Sequence, residues 1–149
     1  MSQTYFGSAL RSGSGTLTDT TDGGFVVLMQ TTTVTTNADG TASSASVVIP
    51  SGSQIVDLII DQVQNEVVGG GTATAINATV GTAAAGTQYV SATDVIGGGR
   101  AALSFTAAQL AAMADVGTNT SVFLTVDPNG TISTTQGIYR FTVVYAQKG

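Results

Sequence analysis

The run GIYRFTVVYAQ, residues 137–147, limits the fold more than any other stretch of the chain. Tyr139, Phe141, Val143 and Tyr145 recur at every second position, with Arg140 and Thr142 between them. A period of two puts alternate side chains on opposite faces of an extended strand, whereas a helix would scatter the same four residues around its axis. The result is one continuous apolar face rich in aromatics. Such a face is stable only when a second layer of structure covers it.

Runs of the same type recur from Gly24 onward. FVVLMQTTTVTT (25–36) is rich in β-branched residues, NADG (37–40) has turn chemistry, and TASSASVVI (41–49) is expected to return as the second strand of a hairpin. Pro50 has no N–H for a ladder and ends that strand. In SQIVDLIIDQVQNEVV (53–68) alternation groups Val56, Leu58 and Ile60 on one face, and Ile55, Asp57, Ile59 and Asp61 on the other. After Asp61 the apolar phase moves to Val63 and Val67, which predicts a β-bulge or an edge near Asp61 and Gln62. GGGTATAINATVG (69–81) aligns Thr74, Ile76, Ala78 and Val80, and GTQYVSATDVIGGGRAALSF (86–105) supplies two short strands broken at Gly97–Gly99. SVFLTV (121–126) aligns Val122, Leu124 and Val126 before the turn DPNG (127–130).

Short strands separated by turns at this spacing predict an all-β fold, an antiparallel, jelly-roll-like β-sandwich over residues 25–149. No fixed-period repeat points to a solenoid or propeller. Residues 1–24 show neither period and read as an extended arm or a flexible segment, with Tyr5, Phe6 and Leu10 as candidate apolar contacts if it is an arm. A chain of 149 residues is one ordinary domain and buries roughly 68–70% of its unfolded surface. With no cysteine, stability is expected from packing or oligomerisation.

One segment departs from the β pattern. In SFTAAQLAAMADVG (104–117), Thr106 and Gln109 match a capping box, and Phe105 and Leu110 have the spacing of a hydrophobic staple. Alanines fill the interior, and Gly117 is placed to stop the helix in a left-handed conformation. About ten residues cannot hold a helix alone, so this one is expected to dock on an end of the β core through Phe105, Leu110 and Met113.

Composition excludes most chemistry. The chain has no histidine, which removes His-based triads and His metal sites. Asp57 and Asp61 lie about 13 Å apart along a strand, too far for a cooperating carboxylate pair, and read as solvated positions. The turns TDTTDGG (18–24), NADG and DPNG offer oxygens, but none has the spacing of a calcium loop, and GGG (69–71) and GGGR (97–100) lack the context of phosphate loops. No enzyme activity, cofactor or metal is expected. The net charge is -5, with only Arg11, Arg100, Arg140 and Lys148 basic, which argues against nucleic acid as a partner. No apolar run is long enough to span a membrane, and the first residues lack a signal-peptide core, so synthesis in a cytoplasm is expected.

VVIPSGSQIVDLIIDQV (47–63), TVGTAAAGTQYVSATDV (79–95), FTAAQLAAMADVG (105–117) and GIYRFTVVYAQ (137–147) together resemble the small decoration, or cement, proteins on the heads of tailed bacteriophages. The resemblance covers roughly residues 25–147. It implies a structural virion protein on the capsid exterior, bound to the major capsid protein and commonly assembled as a homotrimer. Tyr5, Phe6, Leu10 and Arg11 in the arm are then candidates for capsid contact. Ile55, Ile59 and Phe123, as apolar residues on sheet faces, are candidates for the subunit interface. A carbohydrate-binding β-sandwich and a phage tail or fibre module remain as alternatives.

Overall fold

The computed structural model describes residues 25–67, 70–132 and 135–148. Eight strands and one helix follow in the order β1 (Phe25–Thr35), β2 (Ser43–Ile49), β3 (Ser53–Gln64), β4 (Ile76–Gly81), β5 (Val90–Asp94), β6 (Gly99–Arg100), α1 (Ala107–Ala114), β7 (Thr120–Pro128) and β8 (Ile138–Lys148). They form two four-stranded antiparallel sheets, ordered β1-β8-β3-β6 and β2-β7-β4-β5. Strands equidistant from the two ends of this series pair with each other: first with eighth, second with seventh, third with sixth, fourth with fifth. That nesting is the jelly-roll connectivity of an all-β sandwich.

The aromatic face of β8 carries the core. Tyr139, Phe141, Val143 and Tyr145 all point inward, and they belong to one cluster with Val122, Leu124 and Val126 of β7 and Ile76, Ala78 and Val80 of β4. β8 is central in its sheet and β7 in the other, so the two best-alternating runs stand at the middle of their layers. Thr74, expected on the face of β4, precedes that strand and is exposed.

β1 and β2 do not form the expected hairpin. β1 runs along β8 over its whole length, while β2 pairs with β7 in the opposite sheet. NADG is therefore a corner between sheets. Asp39 Oδ1 accepts hydrogen bonds from the N–H and hydroxyl of Thr41, at 3.0 and 2.7 Å, and the Ile132 N–H donates to the Ala38 carbonyl at 3.0 Å. Gly40 has φ +82°, and a Cβ there would come within 2.6 Å of the Gly130 carbonyl oxygen, so only glycine fits. Turn chemistry specifies a chain reversal; it does not specify which strand the chain meets next.

β3 departs from simple alternation twice. Its pairing with β8 shifts between Ile55 and Asp57 and again between Gln62 and Gln64. A bulge sets two residues against one, so Val56 and Asp57 both face outward, as do Val63 and Gln64, while Ile55, Leu58, Ile60 and Gln62 face inward. The second bulge lies where the change of apolar phase predicts one. The first was not legible, and it overturns the grouping of Val56 with Leu58 and Ile60.

In α1 the capping box forms as expected: Thr106 Oγ1 accepts from the Gln109 N–H, and the Thr106 N–H donates to Gln109 Oε1 at 2.9 Å. Met113 is buried and Phe105 packs partly against the core, but Leu110 is 53% exposed. The expected docking through Leu110 is thus corrected. The face of α1 turned to the sandwich carries Gln109, whose Nε2 donates to the Thr87 carbonyl at 3.3 Å and to Ser91 Oγ at 3.1 Å. The helix ends at Asp115 in an extended conformation, and Gly117, left-handed at φ +67°, lies in the following turn with its N–H bonded to Asp115 Oδ1.

Candidate interaction surface

The outward face of the β1-β8-β3-β6 sheet is assembled row by row from the strand register. Val27, Ala146 and Gln54 make one row; Met29, Val144 and Asp57 the next; then Thr31, Thr142 and Ile59; then Thr33, Arg140, Asp61 and Arg100. One end of the face is aliphatic, with Val27 60% and Met29 69% exposed and Val56 displaced onto it by the first bulge. The middle row is hydroxylic, with the Thr31 and Thr142 oxygens 2.9 Å apart. The other end is ionic.

There Asp61 lies between two cations. Arg100 Nε approaches Asp61 Oδ1 at 2.8 Å, and Arg140 Nη2 approaches Oδ2 at 2.9 Å. Hydrogen bonds from Arg100, and then from Arg140, hold the Asp61 carboxyl below its ordinary range, and Asp61 in turn pushes the Arg100 guanidinium up. Asp61 is therefore a committed ion-pair partner rather than the solvated residue expected from sequence. Asp57 is exposed and accepts the Leu58 N–H at 2.8 Å.

The outward face of the other sheet is more closed. Ser44 and Thr125 share a hydrogen bond of 2.8 Å, and the Ala85 N–H donates to Thr125 Oγ1 at 2.8 Å, which brings the β4–β5 loop over the sheet and leaves Thr125 buried. Ala85 takes φ +59° to make this contact. Phe123 is half-buried on this face, in register with Ser46 and Gly81.

A buried polar cluster stands inside, at the end of β3. The Tyr139 hydroxyl donates to Glu66 Oε2 at 3.0 Å and accepts from Gln62 Nε2 at 3.0 Å, and Gln62 also donates to Glu66. Burial first, and the negative charge of Glu66 second, push the Tyr139 phenol well above its ordinary range. The Gln62 Oε1 atom has no hydrogen-bond partner. Among the described residues no group of three or more histidine, cysteine or acidic side chains could hold a metal ion. The oxygens of two of the acidic or amide turns are engaged within the fold: Asp39 by Thr41, and Asn129 Oδ1 by the N–H groups of Thr74 and Ala75 at 2.7 and 2.9 Å. Among the described residues no helix is long and apolar enough to cross a membrane.

The sequence-derived candidates are distributed unevenly over this frame. Tyr5, Phe6, Leu10 and Arg11, like the turn at 18–24, lie outside the described residues. Ile55 is only 3% exposed, a core residue turned inward by the bulge at Val56, and so is not a surface residue. Ile59 and Phe123 are half-buried on the outward faces of different sheets, and the fold does not bring them together. Sequence reasoning missed Val27, Met29 and Val56. The alternation of FVVLMQ held a signal for the first two, but nothing local shows which alternate set faces out. The chain matches no family model, and no curated protein or solved structure matches it.

Proposed function

We propose that the protein is a structural subunit that decorates the outside of a bacteriophage capsid and stabilises it by bridging major capsid subunits. The observation that carries this reading is the outward face of β1, β8 and β3, which leaves Val27, Met29 and Val56 exposed at one end and holds the Arg100–Asp61–Arg140 cluster at the other. Exposed aliphatics rimmed by polar groups mark protein contact surfaces. A subunit that spans the joint between two shell proteins adds interface, and so raises the free energy needed to separate them. The jelly-roll framework recurs in viral capsid domains and in lectins, which supports the reading as an analogy of fold. Sugar recognition draws less support: Tyr89, Tyr139, Phe141 and Tyr145 are buried, and Phe105 and Phe123 half-buried, so none of these rings offers the open face on which a sugar stacks.

The purified protein should co-sediment with matured phage heads and raise the temperature at which they rupture. Met29→Glu and Val56→Glu, which charge the aliphatic end without touching the core, should weaken that binding at least about tenfold. Absence of binding at micromolar protein would end the proposal, and unchanged binding by both variants would move the contact to another face.

A further inference from the structure

The two flanks of the sandwich, where each sheet ends, are built differently. On one, β6 is two residues long and β5 only five, with an irregular pairing to β4. On the other, β1 is an edge strand of 11 residues, FVVLMQTTTVT, with no proline, no charge and no break in its register with β8. Natural edges are normally blunted by such devices, because a row of unpaired N–H and C=O groups is a template for another strand.

The register says which groups are open. The Thr36 N–H donates to the Gly137 carbonyl at 3.0 Å, continuing the ladder that begins at Thr35 and Ile138. Antiparallel ladders alternate, so the even-numbered residues Val26 to Thr36 bond to β8. Phe25, Val27, Met29, Thr31, Thr33 and Thr35 then turn their backbone groups to the flank, where among the described residues no strand pairs with them. Val27, Met29, Thr31, Thr33 and Thr35 also carry the outward side chains of β1. The Gln30 side chain ties β1 to the facing edge strand, its Nε2 donating to the Val48 carbonyl of β2 at 2.8 Å.

We propose that a second copy of this chain adds its own β1, antiparallel, to this edge about a two-fold axis at Thr31, joining the two β1-β8-β3-β6 sheets into one. The axis sets Thr31 against Thr31, Met29 against Thr33 and Val27 against Thr35, so five of the six edge-turned residues of each copy are matched and exchange ten backbone hydrogen bonds, with Phe25 left at the strand end. Threonine pairs and aliphatic–threonine pairs across strands are favourable neighbours.

Charge and area both select a second copy as the occupant. The chain carries a net charge of -5 and repels itself in general, yet the 11 residues of β1 and the 7 of β2 contain no charged side chain, so like chains meet on this flank without local repulsion. The flank is about 37 Å long by strand rise and roughly 20 Å thick across two sheets with their side chains, or on the order of 700 Å² per copy, close to the ~800 Å² of a stable interface. The contact does not rest on the capsid reading. It is also a two-fold contact, where the resemblance implies a three-fold one.

Light scattering on the full chain tests it. The expected mass is about 30 kDa, twice the 14.8 kDa of one chain, at protein concentrations up to about 100 µM. Thr31→Pro removes the N–H at the axis, where an edge strand tolerates proline, and should yield a monomer with an unchanged circular-dichroism spectrum. Should that variant misfold, Met29→Lys, which charges the same edge, should give the same monomer. Amide exchange on the unaltered protein reads the contact without mutation: the Val27, Met29, Thr31, Thr33 and Thr35 amides should exchange at least about tenfold more slowly in the dimer than after dilution to monomer. A monomer throughout, a trimeric mass, a dimer that survives both substitutions, or five fast amides within the dimer would each overturn the proposal. Failure of head binding with the dimer intact would overturn only the capsid reading.

Discussion

The docking of α1 departs from the expectation drawn from its sequence at Leu110, and three alanine substitutions in the helix measure the departure. Complete burial of a leucine side chain is worth about 1.5–3 kcal/mol, and Leu110 is 53% exposed, so Leu110→Ala should cost no more than roughly 1 kcal/mol. Alanine is also the better helix former, which lowers the cost further. Met113 is 4% exposed within the core cluster, and its replacement by alanine should cost about 2–5 kcal/mol through lost transfer energy and the cavity left behind. Gln109→Ala removes the acceptor of the Thr106 N–H and the donor to Thr87 and Ser91, leaving a partly buried carbonyl unpaired, for about 1–3 kcal/mol. Urea denaturation followed by circular dichroism separates the three. With a slope of about 2 kcal/mol per molar, the midpoint should fall by about 1–2.5 M for Met113→Ala, about 0.5–1.5 M for Gln109→Ala, and about 0.5 M or less for Leu110→Ala. A Leu110→Ala loss equal to that of Met113→Ala would show the helix rotated from the orientation described, with its leucine inside. The reasoning from burial would then be refuted.

Three further outcomes are expected. Gly40→Ala should destabilise the fold by more than about 1 kcal/mol in the same assay, since alanine strains at φ +82° and its Cβ would strike the Gly130 backbone. The Asp61 carboxyl, whose folded pKa is depressed, contributes stability that is present above its unfolded value near 3.8 and is lost as pH falls through the folded pKa; Asp61→Asn should therefore flatten the acid limb of a stability-versus-pH curve and leave its slope near neutrality unchanged. Tyr139 has a raised folded pKa, so its contribution is complete below the unfolded value of 10.0 and declines above it: spectrophotometric titration should find Tyr139 ionising late, together with Tyr89, which burial also pushes up, and Tyr139→Phe should remove one equivalent of that late phase and cost about 1.5–3 kcal/mol through the lost hydrogen bond to Glu66.

Much of the frame was legible before any coordinates. The alternation of Tyr139, Phe141, Val143 and Tyr145 and that of Val122, Leu124 and Val126 predicted the two inner faces that meet in the core, and Thr106 with Gln109 predicted the helix start. Each is a local signal: a period of two, or a hydroxyl three residues from an amide, has one low-energy geometry whatever surrounds it. The surface was less legible. Ile55 and Val56 exchange faces because of a bulge that neither residue announces, and Leu110 yields the docked face of its helix to Gln109, because Thr87 and Ser91 offer that amide partners which no local rule reveals.

The sequence by itself determined most of the strands, the alternation within most of those, the capped helix and the exclusion of histidine and cysteine chemistry, because these depend on neighbours a few positions away and on residue inventory; the run 101–105 after Gly99–Arg100, expected as strand, lies outside any strand. Tertiary structure alone decided that β1 leaves β2 for β8, that Asp61 is held between Arg100 and Arg140, and that Val27 and Met29 remain uncovered at a sheet edge. Those outcomes depend on which distant strands compete for the same ladder. Backbone hydrogen bonds are nearly alike for every partner, so the choice falls to side-chain packing across the whole sandwich, a property of all eight strands together.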